Sequence, residues 1–87
     1  MHATVIHANI SDLAEAKRGL KEEVIPRMKG APGFISAYFV AVDDTHGISI
    51  ALFDTEEQAR SSAPPQGAEA PGVTIGTLQF GEVVGLA

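Results

Sequence analysis

The chain contains no cysteine, and it has only six lysines and arginines to set against eleven acidic residues. Without cysteine there is no disulfide, no thiolate metal site, no iron-sulfur cluster and no cysteine nucleophile. The formal charge of -5 repels a phosphate backbone, so nucleic acid is not an expected partner. Five of the six bases, Lys17, Arg18, Lys21, Arg27 and Lys29, fall in one stretch. There Asp12, Glu15, Glu22 and Glu23 nearly balance them, so no basic patch forms. No apolar run approaches the roughly 20 residues of a membrane span, and no basic-then-apolar signal pattern opens the chain. A soluble, cytoplasmic protein without membrane contact is therefore expected. Nucleotide-binding motifs of the GxGxxG or GxxxxGK type are also missing. His2, His7 and His46 are scattered, and Asp43-Asp44-Thr45 lacks the alternating oxygens of a calcium loop, so neither a metal nor a cofactor is expected.

What is present is an apolar fraction of 45% with 20% charged residues, the balance of a folded chain, in 87 residues that fit one domain spanning 1–87. Residues 3–10 carry β-branched Thr4, Val5, Ile6 and Ile10 and read as a strand. The period then changes. Leu13, Ala16, Leu20, Val24 and Met28 recur at steps of three and four, which predicts an amphipathic helix capped by Ser11 or Asp12. Glu15 is spaced for a capping box, and Arg18–Glu22 and Glu23–Arg27 for i,i+4 pairs. Pro26 should bend or loosen the last turn, and Gly30 is placed to close it in a left-handed conformation. Phe34–Val42 and Ile48–Phe53 read as strands joined by the polar turn Asp43–Gly47. Asp54 or Thr55 caps a short helix through Arg60. The Pro- and Gly-rich segment 63–72 reads as an exposed, mobile connection, and 73–80 returns to strand.

This order is β-α-β-β-α-β, the ferredoxin-like arrangement of class α+β, in which a four-stranded antiparallel sheet carries both helices on one face. A sheet with one face in water should alternate apolar with polar residues. The second strand instead has Ile35, Ala37, Phe39 and Ala41 on one side and Tyr38, Val40 and Val42 on the other. The third has Ile48, Ile50 and Leu52 against Ala51 and Phe53. Two helices cover one face, so the other calls for a second sheet, most simply from another copy of the chain in a homodimer.

The Pro32-Gly33-Phe34 turn, the Asp43-Asp44 hairpin and the run Ile50-Ala51-Leu52-Phe53-Asp54-Thr55-Glu56-Glu57-Gln58-Ala59 resemble the dimeric α+β barrel superfamily, specifically its antibiotic-biosynthesis monooxygenase-like members. The likeness spans roughly residues 3–60 and the final strand. It implies a homodimeric barrel and, by analogy, cofactor-independent monooxygenase-like oxidation of a small aromatic or polyketide-like molecule. In that family the strand before the second helix usually ends in Trp; Phe53 stands there here, and Asn9 matches the family's strand-one Asn.

The candidate residues follow from their chemistry. His7 and Asn9, spaced i,i+2, share one face of the first strand, where a histidine can move a proton and an asparagine can hold a carbonyl or enolate oxygen. The alternative is that both are hydrogen-bonded structural polars at an edge or interface. Tyr38, the only phenol, can orient a ligand oxygen, and Phe39 and Phe53 are candidate walls of an apolar pocket. His46 reads as a solvated turn residue and His2 as frayed. A non-catalytic ligand-binding or structural dimerisation domain is the competing functional expectation.

Overall fold

The structure, a computed structural model, describes all residues from Met1 to Ala87. Strand β1 (His2–Ile10) leads into a helical rod of three stretches: α1 (Leu13–Gly19), a π-helical stretch (Leu20–Val24) and α2 (Ile25–Lys29). Strands β2 (Phe34–Ala41) and β3 (His46–Phe53) form a hairpin, followed by α3 (Glu56–Ser61), β4 (Glu69–Ala70) and β5 (Val73–Glu82). All pairings are antiparallel, in the order β2-β3-β1-β5-β4. The expected four-stranded order is thus extended by a fifth, two-residue strand at one edge. The extra strand comes from the segment expected to be mobile, because Gly67 and Gly72 take positive φ values that let it fold back on β5. The amide of Ile75 donates to the Ala68 carbonyl at 2.8 Å and that of Gly67 to the Ile75 carbonyl at 2.8 Å.

The same segment packs on α1. The Gly72 carbonyl accepts from Ser11 N–H at 2.8 Å, and a side chain added to Gly19 would meet the Pro71 ring at 2.7 Å. Asp12 caps α1 as expected, its Oδ1 accepting from Glu15 N–H at 3.0 Å. Glu15 does not close a capping box; it turns to Arg18 at 2.6 Å. Arg18 also holds Glu22 at 2.7 Å and Glu23 at 3.1 Å. The expected Glu23–Arg27 pair gives way because the π turn, with its i→i+5 period, brings Glu23 over Arg18. That turn ends where Pro26 begins, and Ile25 N–H reaches back to the Leu20 carbonyl. Pro26 therefore follows a widened turn instead of loosening the end of an α-helix. Gly30 is right-handed (φ -91°), and the left-handed residue is Gly33 (φ 74°), where an added Cβ would collide with the Gln58 side chain. Thr55, not Asp54, caps α3, in a reciprocal capping box with Gln58.

The core lies on the helix side of the sheet. Phe53, Ala51 and Ala59 form its centre, with Met28, Phe34, Ala37 and Phe80 packed around them. Phe34 meets Phe53 edge-to-face with ring centroids 5.9 Å apart, and the Arg60 guanidinium sits 4.5 Å over the Phe80 ring. Thr4, also on this side, donates its hydroxyl to the Ala59 carbonyl at 3.1 Å and ties β1 to α3. No helix is long and apolar enough to cross a membrane.

Candidate functional site

Because side chains alternate along a strand, the Thr4–Ala59 bond fixes which residues face away from the helices. On β1 these are Ala3, Val5, His7 and Asn9. The register sets Val5 beside Ile50, His7 beside Ile48 and Asn9 beside His46. On β2 it sets Tyr38 beside Ile50 and Val40 beside Ile48. A bulge between Phe34 and Ser36 returns Phe34 to the helix side, so the expected split of β2 holds from Ser36 onward. His7, Asn9 and Tyr38 thus share the open face, and Phe39 and Phe53 lie on the helix side. The five candidate residues do not converge on one cavity.

A concavity lies on each face of the sheet. On the open face, Ala3, Val5, Tyr38, Ile50 and Leu52 form the floor of a concavity of about 430 Å³ bordered by the terminal segment 81–86. The segment is anchored where Val83 N–H donates to the Met1 carbonyl at 2.9 Å, and it shields Ala3 and Leu52, which are buried although they face away from the helices. On the helix side, a groove of about 290 Å³ runs between α2 and β2, lined by Ile25, Met28, Phe34, Ala37 and Phe39, with Lys29 and Ser36 as its polar members. Phe53 does not line this groove, although its ring packs against that of Phe34, which does. Neither His7 nor Asn9 lines either concavity; both are exposed on the open face.

One polar cluster was not anticipated as a unit. His46 Nδ1 lies 2.8 Å from Thr45 Oγ1 and 3.1 Å from Asp43 Oδ1, and Asp43 also accepts from Thr45 N–H at 2.8 Å. The Thr45 backbone N–H, then the Thr45 hydroxyl and the His46 ring, hold the Asp43 carboxyl down to about 2. The spacing Asp-x-Thr-His in a hairpin turn carries this signal, since an aspartate folding back on the amide two residues later is common turn chemistry. At the other end of the strands, His2 is paired within β1 and not frayed, and its Nδ1 is buried without a partner. Glu15 is lowered by its hydrogen bond to Arg18, whose guanidinium is correspondingly raised. Nowhere do three or more His, Asp or Glu side chains gather as metal ligands would. No family model, curated protein or solved structure matches the chain.

Proposed function

We propose that the chain acts as a homodimeric small-ligand-binding domain. Two copies pack through their open sheet faces, and the groove between α2 and β2 takes a small apolar or aromatic molecule. The observation that carries the reading is the open face itself. Tyr38, Val40, Val42 and Ile50 expose 63%, 56%, 60% and 40% of their surface on one side of the sheet. A contiguous apolar surface of this kind favours association. Only nine of 87 residues are buried in the single chain, a thin core for a domain this small, and a second sheet would supply what the two helices cannot. The groove's apolar walls with Lys29 at the rim suit a flat apolar ligand carrying a negative group.

Light scattering at micromolar concentration is expected to report two chains or a multiple of two, and Ile50→Lys, which sets a charge in the centre of the open face, to halve that mass. A wild-type monomer overturns the dimer. An anilinonaphthalene sulfonate dye is expected to bind saturably, with affinity reduced severalfold by Lys29→Gln; unsaturable binding, or binding indifferent to Lys29, overturns the ligand site.

A second, catalytic reading has one observation in its favour: His7, Asn9 and Tyr38 share the open face, which facing sheets would enclose. In that reading His7 moves a proton and Asn9 holds the substrate oxygen, as the monooxygenase-like resemblance implies. Oxygen uptake with a panel of quinols and polyketide-like phenols checks it. Turnover that survives His7→Ala and Asn9→Ala unchanged removes these residues from the chemistry.

A further inference from the structure

The two edges of the sheet are built differently. At one edge β4 is two residues long and carries Glu69, a short, charged strand of the kind that discourages pairing with another chain. At the other, β2 runs eight residues, Phe-Ile-Ser-Ala-Tyr-Phe-Val-Ala, without a charge or a proline, in a chain whose charged fraction is 20%. Its backbone is only half used. Val42 N–H donates to the His46 carbonyl at 2.9 Å, and the continuous register from Ala41–Gly47 to Ala37–Ala51 sets the alternation. Even-numbered residues bond β3, and Ala37, Phe39 and Ala41 turn their N–H and C=O groups to the free edge. The groove on the helix side draws its lining from α2 and from this same edge strand, with no element beyond β2 to close it.

We infer that the β2 edge pairs antiparallel with the β2 edge of a second copy, in a register centred on Phe39, and that this pairing closes the open side of the groove. The register follows from the backbone. A two-fold axis at Phe39 matches its outward N–H and C=O with the same groups of the partner's Phe39, and those of Ala37 with the partner's Ala41. The side chains agree with it. On the helix side Phe39 meets the partner's Phe39 at the mouth of the groove. On the open face Tyr38 stands beside the partner's Val40, an aromatic and β-branched cross-strand pair. A strand without charges meets its own copy without repulsion, and the two-fold contact by itself joins two chains in one defined pair. The groove-closing role rests on the ligand-site reading above, whereas the strand pairing itself uses the backbone edge of β2, which the open-face dimer leaves free.

The absence of cysteine makes a direct test available. Phe39→Cys, oxidised with glutathione disulfide, is expected to give a covalent dimer as the major species, since residues facing each other across such a pair lie within disulfide reach. Ala41→Cys, whose two copies would stand several residues apart, is expected to give little. A mixture of Ala37→Cys and Ala41→Cys chains should cross-link to each other, testing the register with Phe39 intact. Ala41→Pro, which removes an outward N–H and leaves the β3 bonds in place, should abolish the cross-link in the Phe39→Cys background. Absent cross-linking in both the Phe39→Cys chain and the mixture, or equal cross-linking at every position, overturns the proposal. Ile50→Lys separates the two contacts: it should leave the Phe39→Cys cross-link unchanged even where it abolishes the open-face dimer.

Discussion

Thr4 shows how a single side chain can hold two elements together. Only 2% of its surface is exposed, and its hydroxyl is the partner of the Ala59 carbonyl. Thr4→Val keeps the shape and removes the donor, leaving a buried carbonyl unsatisfied, at a cost of about 1 to 3 kcal/mol; Thr4→Ser should recover most of it. Urea denaturation of the three proteins checks this, and equal midpoints for threonine and valine would remove the bond from the stability of the fold. Asp43 makes the opposite case, an exposed residue with a perturbed proton. Its folded carboxyl titrates at about 2 against an ordinary 3.8. The sign follows from linkage: the turn's contribution is fully present above about pH 4 and is lost as the pH falls through 2. NMR titration should place Asp43 well below 3.8, and Thr45→Val, which removes the hydroxyl and keeps the backbone N–H, should move it part of the way back.

At the scale of elements, the contact between the 63–72 segment and α1 decides what kind of loop this is. In an exposed helix Gly→Ala is normally stabilising by close to 1 kcal/mol. At Gly19 the added methyl meets Pro71 at 2.7 Å, so Gly19→Ala is expected to destabilise, by about 1 to 3 kcal/mol from overpacking. In a Pro71→Gly background the sign should reverse. Thermal melts of the four chains in this cycle distinguish a docked segment from a tether, for which Gly19→Ala stabilises in both backgrounds. The π-helical stretch acts in the same region: by shifting the period from four to five it adds Glu23 to the Glu15 and Glu22 that ordinary helical spacing already sets on Arg18. Val24 and Ile25, at its end, are both half-buried.

For the whole molecule, the unequal faces of the sheet dominate. The helices protect Phe53, Ala51 and Phe80, and the terminal segment shields Ala3 and Leu52 from the other side. Tyr38, Val40, Val42 and Ile50 keep their exposure. If the proposed association forms, stability is linked to concentration. The melting temperature should rise as the protein is raised from micromolar to hundreds of micromolar, and Ile50→Lys should weaken that dependence. A melting temperature independent of concentration in the wild type would mean that the exposed row stays in water.

Strand and helix order, the Asp12 cap and the two apolar faces were legible in the sequence, because each is written in residues close along the chain: β-branched runs, a three-four period, turn residues. The fifth strand was not, since the Pro- and Gly-rich composition of 63–72 describes a chain that turns easily and says nothing about what it turns onto. Contacts of Gly72 with Ser11 and of Pro71 with Gly19 join positions more than fifty residues apart, and only the folded chain brings them together. The candidate site divides in the same way. Local alternation was enough to place His7 and Asn9 on one face of β1. Which face the helices would take, and hence that His7, Asn9 and Tyr38 stand opposite Phe39 and Phe53, depended on the Thr4–Ala59 bond and the bulge at β2. Sequence by itself determined how much apolar surface the chain must cover. Tertiary structure decided which part of it the chain covers alone, because burial depends on what the fold sets against each face.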